Sequence, residues 1–155
     1  MIGATGQVGF PLCRELLQLG QTVAISRARS ADNRFRLDAL QAAGADLVFQ
    51  ADLGNVESLG RALVGCDTVV VATRANAHLV QELEPRILQA AQAAGVRRFV
   101  PDEFGTHSKG LPDGVGTLFD AKKVFQRRAI EDYAATAGSV SKMLIRAGHT
   151  DDLTQ

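Results

Sequence analysis

The 155-residue chain has no Trp, one Tyr, two Cys and four Pro, and its 17 basic side chains balance 17 acidic ones. Each scarcity removes a class of function. Balanced charge leaves no field to draw in nucleic acid, a membrane surface or an acidic partner. No apolar run approaches the roughly 20 residues that a bilayer-spanning helix needs. No leader-like segment precedes the first glycines, so a cytoplasmic location is expected. Cys13 and Cys66 are too few for a disulfide framework and lack C-x-x-C spacing, so free thiols in a reducing compartment are expected. His78 and His149 share no spacing with each other or with the cysteines that suggests a metal site, and His107 reads first as an ordinary loop histidine and second as a substrate contact. A hydrophobic fraction of 46% then fits one globular domain with one core.

What the chain does have is a glycine turn at its start. Gly3, Gly6 and Gly9 form a G-x-x-G-x-x-G pattern through Ala4, Thr5, Gln7 and Val8. An apolar helical stretch follows it, then a strand ending at Ser26-Arg27. Such a turn opening a helix suits a pyrophosphate, because missing side chains let the backbone approach and the helix start offers N–H groups and a positive dipole end. Alone it is a weak signal, since glycine-rich loops are also ordinary tight turns. Its place at a first βα connection strengthens it.

Downstream the pattern alternates. Helices are predicted over Gln7–Leu19, from an Asp32 cap to Ala43, from an Asn55 cap to Val64, from Asn76 to Ala94, and from Leu118 to Ala137. Val80, Leu83, Ile87, Ala91 and Ala94 form the apolar stripe of the fourth, and Pro85 inside it predicts a kink or a late start. Strands are predicted over Thr22–Ile25, Asp46–Gln50, Asp67–Ala72, Arg97–Val100 and Val140–Ile145. Alternation of this kind means βαβ units and a doubly wound parallel sheet. A full strand should precede the glycine turn, yet only Met1 and Ile2 stand there. The chain is therefore expected to be the Rossmann domain of a longer protein, with its first strand nearly absent and a C-terminal substrate lobe missing.

Three stretches resemble the NmrA-like branch of the short-chain dehydrogenase superfamily, and more closely its isoflavone-reductase-like (aromatic alcohol reductase) members. They are Gly3 to Gly9, the run Ala94-Gly95-Val96-Arg97-Arg98-Phe99-Val100-Pro101-Asp102-Glu103-Phe104-Gly105, and Phe119-Asp120-Ala121-Lys122-Lys123. Their order and spacing match over nearly the whole chain. Asp102 departs from the resemblance, standing where Ser is usual. The Tyr-x-x-x-Lys pair of other short-chain dehydrogenases is absent, because Tyr133 is followed four residues later by Ala137.

The resemblance implies NADP (NADPH) as cofactor and a small-molecule substrate. Arg27 stands where an acidic residue would grip the ribose of NAD; a cation there suits the 2′-phosphate of NADP, with Arg29 and Arg34 as candidate helpers. The superfamily places Asp52 and Leu53 near adenine, although Asp52 equally suits a plain cap for the next helix. Ala72 and Thr73 end a predicted strand and should pass near the cofactor, since ligands sit at the carboxyl ends of parallel strands. Lys122 matches the family's active-site lysine, while Lys123 points about 100° away on a helix. Just past the strand predicted over Arg97–Val100, Phe104 is expected to pack, Glu103 to fix the loop, and Asp102 either to alter substrate access or to be solvated. An NADPH-dependent reductase for aromatic or enone-like molecules is the favoured reading. A non-catalytic NADP-binding redox sensor and an inactive fragment are the alternatives. Loss of the first strand's ladder partners also predicts marginal stability and association into homo-oligomers.

Overall fold

A computed structural model describes residues 1–20, 22–26, 31–49, 52–74, 76–105 and 110–137. Arg27, Arg29, His107, His149 and the expected strand Val140–Ile145 lie outside the described residues. The elements alternate as α1 (Gly9–Leu19), β1 (Val23–Ser26), α2 (Ala31–Ala42), β2 (Asp46–Phe49), α3 (Val56–Leu63) and β3 (Thr68–Val70). A π-helical stretch (Leu79–Leu83), α4 (Glu84–Ala93), β4 (Arg98–Val100) and α5 (Thr117–Ala137) complete the order.

Local chemistry explains most boundaries. Asn55 caps α3, its side chain accepting from the Ser58 N–H at 3.0 Å. Gly95, at φ +74°, ends the chain's path out of α4 in a left-handed turn. Asp32 does not cap α2 as expected. It lies inside the first turn of that helix, where its charge suits the positive end of the dipole.

The fourth helix differs from its expected form for a stated reason. Pro85 has no N–H, and the chain accommodates it by widening the preceding turn, where the Glu84 N–H donates to the Leu79 carbonyl five residues back. Leu83, expected on the core stripe, is only half-buried and lines a cleft, and Glu84 takes the buried position between Val80 and Ile87.

All ladders are parallel. β1 pairs with β2, from Val23 opposite Asp46 to Ser26 opposite Phe49, and β3 pairs with β4, from Thr68 opposite Arg98 to Val70 opposite Val100. Ile2 continues the second pair on its other edge. Its N–H donates to the Val70 carbonyl at 2.8 Å and its carbonyl accepts from the Ala72 N–H at 2.9 Å. Successive residues of a strand point their backbone groups to opposite edges. Val71 accordingly donates to Val100 on the far side, and Ile2 occupies the place of a first strand with a single bridge. Among the described residues no ladder joins the two pairs. Met1, Ala4, Cys13, Leu40, Ala45 and Ala72 form one buried cluster that joins α1, α2 and the residue ahead of β2 to the chain beyond β3. A larger core lies beneath β3 and β4, where Ile2, Leu59, Val71, Ile87 and Phe99 meet Ala121 and Phe125 of α5. The Phe99 and Phe125 rings meet edge to face at 6.3 Å. The architecture is a Rossmann-type α/β fold.

Candidate functional site

The glycine turn is built by close backbone packing. Gly3 has φ +83°, and a Cβ there would stand 2.2 Å from the Ala72 carbonyl oxygen. A Cβ on Gly9 would fall 2.0 Å from the Gly3 carbonyl oxygen, so the start of α1 can lie on the turn only without a side chain. Gly6 is tight but not closed, with a Cβ at 3.2 Å from the Gly3 oxygen and 3.3 Å from that of Ala72. The Gly6 N–H donates to the Gly3 carbonyl at 2.9 Å, which closes the turn. No side chain caps α1, and no acidic residue sits in its first turn. The positive end of this helix therefore has no side-chain cap or first-turn carboxylate of its own, the arrangement that anion sites at helix starts use.

A cleft of about 440 Å³ opens over this turn, lined by Ile2, Gly3, Thr5, Gly6, Asn33, Leu53, Ala72, Thr73, Arg74, Asn76, His78, Leu79 and Leu83. Six expected cofactor-binding residues meet there: Gly3, Thr5, Gly6, Leu53, Ala72 and Thr73. Gln7, Val8 and Gly9 do not line it; Gly9 acts by letting the helix approach. Asp52 does not line it either. Its side chain accepts from the Gly54 N–H at 2.8 Å, closing the turn before α3, while the cap of that helix is Asn55. Arg34 is turned away as well, held 3.8 Å from Asp38 along the exposed face of α2.

Sequence reasoning missed Arg36. Its guanidinium donates to the Thr5 carbonyl at 2.7 Å and lies 5.3 Å over the Phe10 ring. One residue of α2 thus pins both the glycine turn and the first turn of α1. Asn33, Arg74, Asn76 and His78 were missed too, although position just past a strand or at a helix start could have flagged Arg74 and Asn76. Asn76 accepts from the Leu79 N–H at 2.8 Å and so caps the π-helical stretch.

Lys122 does not line the cleft. It is 5% exposed and sits behind it, in a buried cluster of charged groups. Its Nζ donates to the Asp102 carbonyl at 2.5 Å and lies 3.7 Å from the Glu103 carboxylate. The Asp102 carboxylate in turn accepts from the Thr73 hydroxyl at 3.4 Å, and Thr73 is a cleft residue. Asp102 is therefore buried rather than solvated, at 4% exposure. Burial pushes its carboxyl up to about 6, against the opposing pull of the Lys122 charge. Glu84 completes the group; its Oε1 accepts from the Asp102 N–H at 2.6 Å, and burial pushes its carboxyl up to about 8. Phe104 packs on the neighbouring core, as expected. Lys123 faces elsewhere, donating to the Pro112 carbonyl and the Asp113 carboxylate, both at 2.9 Å.

Parallel βα units, a side-chain-free turn against a helix start, and a cleft over strand ends define a dinucleotide-binding Rossmann domain. The family model described as NAD(P)H-binding matches residues 3–145, and the chain belongs to that family. It is similar to the isoflavone reductase homolog A622 of Nicotiana tabacum, 32% identical over 139 residues that make up 84% of this chain and 43% of that protein. A bifunctional pinoresinol-lariciresinol reductase of Linum usitatissimum is also 32% identical, over 141 residues, 85% of this chain and 44% of the relative. The solved structure of AtPrR2 with NADP+ and (+)pinoresinol superposes with a TM-score of 0.72 at 28% identity, over 86% of this chain and 45% of that one. The chain thus spans less than half the length of these relatives. Among the described residues no helix is long and apolar enough to cross a membrane.

Proposed function

We propose that this chain carries the NADPH site of a reductase acting on an electron-poor carbon of an aromatic or enone-like small molecule. NADPH, when bound, supplies the hydride. The residues fit such a group, since a Cβ on Gly3 would strike the Ala72 carbonyl oxygen and no side chain fills the start of α1. Gly3, Gly6 and the start of α1 hold the pyrophosphate. Arg27 takes the 2′-phosphate and so selects NADPH over NADH. Leu53, Ala72 and Thr73 wall the cleft, and water is excluded from the core side of it.

The observation that carries the reductase reading is the path from Thr73 through Asp102 to the buried Lys122. A protein that only binds dinucleotide has no use for a buried ammonium at that place. Lys122 Nζ is the proton donor to the substrate oxygen that gains charge; the Asp102 carbonyl and Glu103 carboxylate hold it behind the cleft, and it must turn from them toward the substrate to act. The relatives whose names or titles mention isoflavone and pinoresinol support an aromatic substrate class.

The test follows NADPH oxidation with aromatic and enone acceptors in the parent, Lys122→Ala and Lys123→Ala. Lys122→Ala should lower turnover at least a hundredfold, as removal of a general acid does, and leave NADPH affinity within a few-fold; Lys123→Ala should change neither. NADPH binding with no turnover in any form would favour a redox sensor or an inactive fragment instead.

A further inference from the structure

Glu84 is the most buried charged-type side chain described in the molecule, at 1% exposure, and no part of the proposed chemistry uses it. It lies on the inner face of α4, across the widened turn from the half-buried Leu83. There it meets Asp102 and Glu103 from the loop after β4 and Lys122 from α5. Its Oε1 accepts from the Asp102 N–H at 2.6 Å and so fixes the residue whose carbonyl accepts from Lys122 Nζ at 2.5 Å. Asp102 is thus held from both ends, by α4 through its N–H and by α5 through its carbonyl.

We propose that Glu84 is a positioning residue for Lys122, setting the place of the ammonium through the Asp102 backbone, and that a change in its ionisation loosens or tightens that hold. The role rests on the reading of Lys122 as the proton donor. Three carboxyl groups share this buried space with one lysine, so they cannot all ionise without repulsion that the lysine alone offsets. A protonated Glu84 still accepts the Asp102 N–H through its carbonyl oxygen. Once ionised it faces the Asp102 and Glu103 carboxylates across a low-dielectric space, and it also attracts Lys122. Burial places that transition near pH 8. Asp102, which sits where the resembled family usually carries Ser, adds one of these carboxyls.

The experiment reads the Asp102 amide and the Lys122 amine directly. In the 15N-labelled 155-residue chain the Asp102 amide shift should move twice with pH, near 6 with its own carboxyl and near 8 with Glu84. Glu84→Gln keeps an acceptor but cannot ionise, so the upper step should vanish while acetylation of Lys122, followed by peptide mass spectrometry, stays within about twofold. Glu84→Leu removes the acceptor, and Lys122 should acetylate at least tenfold faster, with Lys123 unchanged as the internal reference. Survival of the upper step in Glu84→Gln would overturn the proposal. So would unchanged Lys122 labelling in a Glu84→Leu chain with a dispersed folded spectrum; if that variant does not fold, the Glu84→Gln titration decides. None of these readouts needs turnover, so parent-like turnover in Lys122→Ala would sink the reading of Lys122 as proton donor and leave the positioning test standing.

Discussion

A methyl group on Gly9 and one on Gly6 differ by a single position in the motif's rhythm and by very different costs. At Gly9 the added carbon would fall 2.0 Å from the Gly3 oxygen, a backbone atom that cannot move without opening the turn. At Gly6 the nearest atoms stand at 3.2 and 3.3 Å, which a small shift relieves. Overpacking typically costs about 1–3 kcal/mol. Gly9→Ala should therefore destabilise by about 3 kcal/mol or more, and Gly6→Ala by about 1 kcal/mol or less, read as shifts in urea midpoint. Gly6→Val should fold yet lose NADPH in a calorimetric titration, because its branches enter the cleft; parent-like binding would place the pyrophosphate elsewhere. Arg27→Ala should erase most of a preference for NADPH over NADH, with roughly 1.5–3 kcal/mol of charge-assisted contact at stake. Equal loss for both cofactors would give Arg27 a role in the fold alone.

The segment from Asn76 to Ala93 shows most clearly how an element sets what a residue can do. Asn76 starts it with a side-chain cap, and Asn76→Ala should cost about 1 kcal/mol in thermal or urea unfolding. A larger effect on NADPH binding than on stability would mean that its place in the cleft matters more than its cap. The alternating helices and strands, the Asn55 cap and the glycine turn are legible in the chain because each rests on residues within a few positions of one another. The contacts that complete the site are not of that kind. Arg36 reaches Thr5 across 31 positions, and Glu84 reaches Asp102 across 18. Glu84 is the sharper case. Glu84 stands four residues after Val80 and three before Ile87, so helical spacing allows it on the inner face, but a glutamate among apolar residues reads by its type as a surface charge. Pro85 signals a disturbance but not its form, and across the π-helical turn Glu84 is buried while Leu83 is half-buried. Lys122 stands between these cases: its residue type and neighbours point to it, while its separation from the cleft by Asp102 becomes visible only in three dimensions.

For the molecule as a whole, the buried carboxyls couple stability to pH with a definite sign. Glu84 is raised from an ordinary 4.5 to about 8, and Asp102 from 3.8 to about 6. Unfolded, both groups lose their protons near their ordinary values; folded, they keep them longer. Between about pH 4 and 8 the folded chain therefore binds more protons than the unfolded one, and stability falls as pH rises, by at most about 1.4 kcal/mol per group per pH unit. Above pH 8 the loss is complete and the curve should flatten. The sum is several kcal/mol, a large share of the roughly 5–15 kcal/mol that holds a domain together. The melting temperature should be highest near pH 5 and fall by roughly 10 °C toward pH 8.5. Glu84→Gln removes the larger contribution while keeping the acceptor for Asp102. Its melting curve should be flatter between pH 6.5 and 8.5 and should lie above the parent's at the alkaline end. Parallel curves for the two proteins would mean that Glu84 is ionised in the folded chain at neutral pH, with Lys122 rather than burial setting its charge.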